Sequence, residues 1–289
     1  MKNHLSDNGR AAPGHAQRRI VMIRRHSLPT RLTHWLNAVC LCFLLASGLQ
    51  IFNAWPQLYW GQAGAEAGDA VLEIGTTTTH GDAAGFLRIG AISLTTTGVL
   101  GVSHSGADQV RRAFPGWLTL PAYQHLAAGR QWHFLFAWCF VLNGLAYLAW
   151  SLFSGHLRRD LMPRRGELRP AHLWHEVVEH ARLRFPKDER ARHYNALQKL
   201  SYLGVIGVLL PLMVLTGLTM SPGVGAACPW LLDLFGGRQS ARTLHFITAS
   251  FLVLFVVVHI AMVIVSGLWN NLRSMVTGRY AITKESIHE

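Results

Sequence analysis

The chain has 289 residues, half of them hydrophobic, with 27 Lys and Arg against 15 Asp and Glu and a formal charge of +12. In a soluble protein that balance would point to nucleic acid. Here the apolar residues are bunched in long uncharged runs, which argue against a soluble nucleic-acid binder and make the charge a matter of membrane topology.

Residues 1–25 are polar and basic and are expected to form a disordered cytoplasmic tail. A first apolar run covers 32–54, opened by Pro29-Thr30-Arg31-Leu32-Thr33-His34-Trp35. Proline near a helix start and an interfacial tryptophan suit that boundary. The run is too long for a secretory h-region and is expected to stay as a spanning helix. A long stretch from Asn53 to about Gly129 follows, rich in Gly, Ala and Thr, with Pro115-Gly116 as a turn signal. It reads as turns and short elements and as a docking surface. Within it, Ile89 to Ala107 is flanked by Arg88 and Asp108 and rich in Gly, Thr and Ser. It is expected to pack near the membrane outside the bilayer, because a fifth span would put the basic loop and tail on the wrong side.

The second span is expected over 131–155, opened by Gln131-Trp132-His133. A basic loop with an amphipathic stretch, Ala171 to Arg184, leads to a third span over 199–221, where Pro211 sits mid-span and is expected to kink the helix. The fourth span is expected over 242–269, and residues 281–289 form a second tail. Twenty-one of the Lys and Arg fall on the side of the two termini and the second loop, and six fall on the other side. By the positive-inside rule both termini are cytoplasmic. The fold expected is all-α, an up-down four-helix membrane bundle with a long periplasmic loop between its first two helices, the membrane domain running over 26–280.

Four histidines lie inside or at the lip of these spans: His34, His133, His245 and His259. Ionisable groups at that depth are costly and point to function. His245 and His259 share one helix, fourteen residues apart, which is about 21 Å of rise and nearly a whole number of turns. One helix then presents two imidazoles on nearly one face at opposite depths, the arrangement two stacked haems need. Topology pairs the rings by depth, His34 with His259 toward the cytoplasm and His133 with His245 toward the outside. Two haem groups, each with two axial imidazoles, about 20 Å apart between irons, are the expectation.

Arg31, Arg130, Arg242 and Lys199 flank helix ends close to these levels. They are candidates to pair with haem propionates. His193, Gln198 and Lys199 are candidates to hydrogen-bond a quinone carbonyl at the cytoplasmic level. Trp35, Trp132, Trp138 and Trp150 read as belt and packing residues. His175-Glu176-Val177-Val178-Glu179-His180 resembles a zinc-protease helix motif only superficially, since its second histidine comes one position late to share a face with the first. Cys40, Cys42 and Cys139 read as small packing residues, and Cys228 stands alone. Without Cys-x-x-Cys-His or a cysteine ladder, covalent c-type haem and an iron–sulfur cluster are excluded.

Arg31-x-x-His34-Trp35, Trp132-His133, Tyr194-Asn195-x-x-Gln198-Lys199-Leu200 and the His245/His259 pair together resemble the bacterial di-haem b-type cytochromes. That superfamily includes cytochrome b subunits of NiFe hydrogenases, gamma subunits of formate dehydrogenases and thiosulfate-reductase-type cytochromes b. The resemblance covers roughly Arg24 to Tyr280. The loop segments Thr95–Val102 and Pro115–Pro121 are most similar to the thiosulfate-reductase-like branch. It implies a multi-pass protein of the bacterial inner membrane that carries electrons between the quinone pool and a periplasmic redox subunit, a molybdopterin oxidoreductase being the expected kind. Two alternatives stand beside it: a stand-alone membrane haem oxidoreductase, such as one passing electrons from superoxide to quinone, and a non-redox membrane protein whose histidines bind metal.

Overall fold

A computed structural model describes residues 17–79, 82–105, 108–164, 166–182 and 195–286. Four of its helical segments are long and apolar enough to cross a membrane: Leu28–Phe52, Leu126–Phe153, Ala196–Thr219 and Arg238–Val265. Each observed span both begins and ends earlier than the sequence suggested, the fourth by the most at its end, because caps rather than hydropathy set the ends. Helix α1 (Leu28–Phe52) starts where the Ser27 hydroxyl accepts from the Thr30 N–H. Helix α2 (Leu126–Phe153) starts where the His125 ring accepts from the Ala128 N–H. The two pack side by side, with the Asn143 amide donating to Thr33 O and Asn37 Oδ1.

The third span is composite. A capping box of Asn195 and Gln198 opens α4 (Ala196–Gly204), which widens into a π-helical turn, Val205–Leu209, before α5 (Leu210–Thr219), which has Pro211 in its first turn. The widened turn absorbs the ring and the missing N–H of Pro211, which a regular ladder could not. The fourth long helix, α8 (Arg238–Val265), stops at Ser266-Gly267, where Gly267 turns left-handed with φ +115°. A separate amphipathic helix, α9 (Leu268–Thr277), follows. Between the spans lie α3 (Pro170–Ala181), as the amphipathic stretch suggested, and short α6 (Pro222–Ala227) and α7 (Pro229–Leu234).

The all-α expectation is corrected at both ends of the bundle. At one end, β1 (Gln17–Arg24) pairs antiparallel with β8 (Arg279–Ser286), so residues 17–24 of the tail expected to be disordered are ordered. Val21 and Ile23 pack on Tyr280 and Ile282, and Asn270 of α9 exchanges two hydrogen bonds with Ala281. The two terminal strands therefore lie at the same end of the bundle, here the terminal end.

The opposite, hooded end is covered by the segment between α1 and α2. The strands β2 (Gln57–Leu58), β3 (Leu72–Thr79), β4 (Asp82–Ile89) and β5 (Ile92–Thr95) form an antiparallel sheet, and β6 (Gly101–Ser105) and β7 (Asp108–Arg112) a hairpin beside it. Residues 89–105 are thus strand and turn rather than a span, and the last two residues of the stretch lie outside the described residues. The β-branched Ile92 and Thr95 and the two-residue turn at Gly90-Ala91 are its local causes. The hairpin crosses the sheet where glycines leave room: a Cβ on Gly101, at φ +77°, would meet Gly75 O at 2.2 Å. Phe52, Leu58, Ile74 and Ala113 form the core of this hood, with Phe246 of α8 against it.

Candidate functional site

At the hooded end His133 of α2 faces His245 of α8, ring centroids 6.4 Å apart. Both rings are held from behind in the same way. His133 Nδ1 is 3.0 Å from the Ser47 hydroxyl, and that hydroxyl gives its own proton to Phe43 O at 2.6 Å. His245 Nδ1 is 3.0 Å from the Thr216 hydroxyl, which donates to Leu212 O at 2.6 Å. Each hydroxyl, its proton spent on its own helix, accepts from Nδ1–H and so leaves the lone pair of Nε2 of each ring available to a ligand. The residue after each hydroxyl is glycine. Cβ atoms on Gly48 and Gly217 would lie 3.4 Å from the Cε1 of His133 and of His245. Two helices thus carry the same hydroxyl-glycine seat for a ring from a neighbour.

Toward the terminal end His34 of α1 faces His259 of α8, centroids 6.3 Å apart. These rings lack the hydroxyl seats. His34 Nδ1 is buried with no hydrogen-bond partner, the His34 ring stands edge-on to Trp35, and His259 stacks on Phe255 one turn earlier in its own helix.

The fit to haem is tested by these distances. With metal–imidazole bonds of about 2.0 Å, as for a first-row metal ion, two rings on opposite sides of one ion have centroids about 6.2 Å apart. Both pairs meet that separation. Each has two nitrogen donors, and no group of three His, Cys, Asp or Glu able to hold a bare ion occurs among the described residues. A donor set of two leaves four positions to be supplied by a planar macrocycle, so the residues present fit haem with bis-imidazole ligation.

The basic residues expected near propionates divide. Arg31 sits about one turn before His34; its Nη1 donates to Val276 O at 2.8 Å and its Nε is buried without a partner. Arg242 ties the hood to α8, donating to Gln57 O at 2.8 Å and to Trp55 O, with its guanidinium over the Phe52 ring. Lys199 is buried in an ion pair with Glu167, Nζ to Oε2 2.9 Å. Burial would raise the Glu167 pKa, but the Lys199 hydrogen bond leads a set of interactions that hold it below its usual value. Arg130 is exposed and lies over Phe134. Of the quinone candidates, Gln198 is spent on the cap of α4 and Lys199 on Glu167, while His193, like Tyr194, falls outside the described residues.

Sequence reasoning missed Ser47 and Thr216, since a hydroxyl in an apolar run ordinarily bonds its own helix. The repeated Ser-Gly and Thr-Gly dipeptides were the available signal. It also missed Arg112, a buried guanidinium in the hood that donates to Gln50 Oε1, Thr119 Oγ1 and Ala122 O. The hood reaches the hydroxyl seat itself, with Leu120 N–H donating to Ala46 O beside Ser47. It is also pinned to α8, where Thr243 donates to Tyr59 O and the Ser240 hydroxyl accepts from Gly61 N–H.

Two curated relatives share about half of the chain. A putative protein-methionine-sulfoxide reductase subunit YedZ1 of Azospira oryzae is 39% identical over 141 residues, 48% of this chain and 66% of its own length. A probable Ni/Fe-hydrogenase B-type cytochrome subunit of Cupriavidus necator is 27% identical over 139 residues, 44% of this chain and 56% of its own length. Neither is of the thiosulfate-reductase type that the loop motifs suggested. The matches span less than two thirds of these relatives' own lengths. No solved structure matches. The profile of the prokaryotic cytochrome b561 family matches residues 25–278, from the end of β1 to the end of α9 and so through all four long helices and both histidine pairs; the chain belongs to that family.

Proposed function

We propose that the protein is the di-haem membrane subunit of a redox complex, passing electrons between quinone in the bilayer and an oxidoreductase docked on its hood. Membership of the cytochrome b561 family makes it a membrane electron-transfer cytochrome that binds haem b. Haem b supplies a one-electron iron couple. His133 with His245 and His34 with His259 are the pairs that would hold the two haems. The single observation that carries it is the agreement of the two ring separations, 6.4 and 6.3 Å, at two levels of one bundle.

The chain's residues then have distinct tasks. Ser47 and Thr216 fix the tautomer of the rings at the hooded end, and Gly48 and Gly217 leave those rings room. The apolar outer faces of the helices keep water from both levels. The excess of positive charge on the side of the termini supports a cytoplasmic terminal end and a periplasmic hood in a bacterial inner membrane.

The partner is proposed for the hood because that face exposes Trp117, Tyr123, Ile92 and Val99, side chains that a docked protein would cover. Both relatives are named as subunits, of a sulfoxide reductase and of a hydrogenase. A molybdopterin enzyme is the kind proposed. Reduced-minus-oxidised spectra of the purified chain with a haem-to-protein ratio test the reading. Two b-type haems per chain are expected, and a colourless protein after expression with ample haem would end it.

A further inference from the structure

A second site lies at the terminal end, away from the facing rings. The paired strands β1 and β8 and the start of α1 enclose a cavity of about 500 Å³ lined by Arg24, His26, Arg31 and Arg279 with Met22 and Gly278. No lining residue is acidic. Arg24 and Arg279 stand directly opposite each other in the strand register, and like charges so placed destabilise a sheet unless something neutralises them. Neither has a carboxylate partner among the described residues. Arg31 supplies the third guanidinium, with its Nε unpartnered. The turn that brings it in requires glycine: Gly278 is at φ +81°, and a Cβ there would lie 3.2 Å from Arg31 Nη1 and 3.0 Å from His26 O. His26 lies outside the spanning segment, and burial, with Arg25 next, pushes its pKa down to about 4. It therefore adds a neutral imidazole to the cationic wall. At the rim, Met22 and Leu28 are exposed apolar side chains at the membrane boundary.

We propose that this cavity binds a phosphate group, that of an anionic phospholipid headgroup, clamped by Arg24, Arg279 and Arg31. Guanidinium forks match phosphate oxygens in pairs, and basic pockets beside membrane helices are suited to lipid headgroups. Met22 and Leu28 would meet the first methylenes of the acyl chains. The bound phosphate would neutralise the Arg24–Arg279 pair and so fasten both terminal strands to the start of α1. The inference is independent of haem ligation, since none of the four facing histidines lines the cavity.

The test uses the full chain in nanodiscs of phosphatidylcholine, with and without phosphatidylglycerol, reading Tm and haem per chain. Phosphatidylglycerol should raise Tm by about 5–10 °C. Arg24→Gln with Arg279→Gln should lose most of that rise, while Arg158→Gln with Arg159→Gln, which removes the same charge elsewhere, should keep it. Met22→Glu, which brings a carboxylate into the cavity, should raise Tm in phosphatidylcholine and blunt the lipid response. Inorganic phosphate added to phosphatidylcholine discs separates the sources; an equal rise, lost in the same double variant, would support the phosphate site with a soluble ligand in place of lipid. No rise in the wild-type chain, or a rise that the double variant keeps, would overturn the proposal. Loss of haem from the double variant without loss of the lipid response would assign the cavity to a propionate and overturn it too.

Discussion

The two histidine pairs have the same ring separation but different surroundings. At the hooded end each ring is hydrogen-bonded through Nδ1 to a hydroxyl, seated beside a glycine, and roofed by a β-structured hood whose Leu120 and Tyr59 contacts reach α1 and α8. At the terminal end His34 Nδ1 has no hydrogen-bond partner among the described residues, and His259 meets the rings of His34 and Phe255. On the reading proposed above, the first site would be organised by the protein before its haem arrives, and the second would depend on its haem to orient the rings. Outer partners of metal-bound histidines raise basicity and fix orientation, so the hooded level should hold its haem more firmly and the terminal level should exchange more readily.

The largest expected effects break the pairs. His34→Ala and His259→Ala should each remove the same haem, leaving one per chain with the spectrum of the hooded level, and His133→Ala or His245→Ala should remove the other. If the His259→Ala protein kept two haems per chain, the pairing would be wrong. Next come the seats. Ser47→Ala or Thr216→Val should weaken haem binding at the hooded level by about 10–100-fold and leave the other unchanged, read as biphasic haem transfer to an apo-globin acceptor. In the unaltered chain the fast phase should belong to the terminal level; equal rates would erase the contrast.

The hood is the third target. Arg112 is 8% exposed and its guanidinium serves three acceptors. Arg112→Met should therefore cost about 2–4 kcal/mol and lower Tm, with haem loss at the hooded level preceding loss at the other. The smallest effect concerns the Lys199–Glu167 pair at the start of the third span. Folding holds the Glu167 pKa below its ordinary value of about 4.5, so the unfolded chain binds the proton more tightly. The pair's stabilisation is then full above pH 4.5 and lost as pH falls through the lower folded value. Lys199→Met should remove this acid-range slope in a pH series of Tm while leaving both haems in place; an unchanged slope would show that Glu167 is not its source.

The four spans, the four facing histidines and their pairing by depth were legible in the sequence, because each follows from local hydropathy and the rise of a single helix. The 14-residue spacing of His245 and His259 sets two levels whatever the rest of the chain does. The motifs around them also reached the right family. What the tertiary structure alone decided is who stands behind each ring and what covers it. Ser47 meets His133 across 86 positions and Thr216 meets His245 across 29. Arg242 and Lys199, which share a helix-end setting with Arg31 in the sequence, are taken up by the hood and by Glu167. The strands of the hood and of the termini also needed partners distant in sequence before their ladders could close. Periodicity records which face of a helix is apolar, whereas a hydrogen bond between helices depends on how they pack, and no local pattern encodes that.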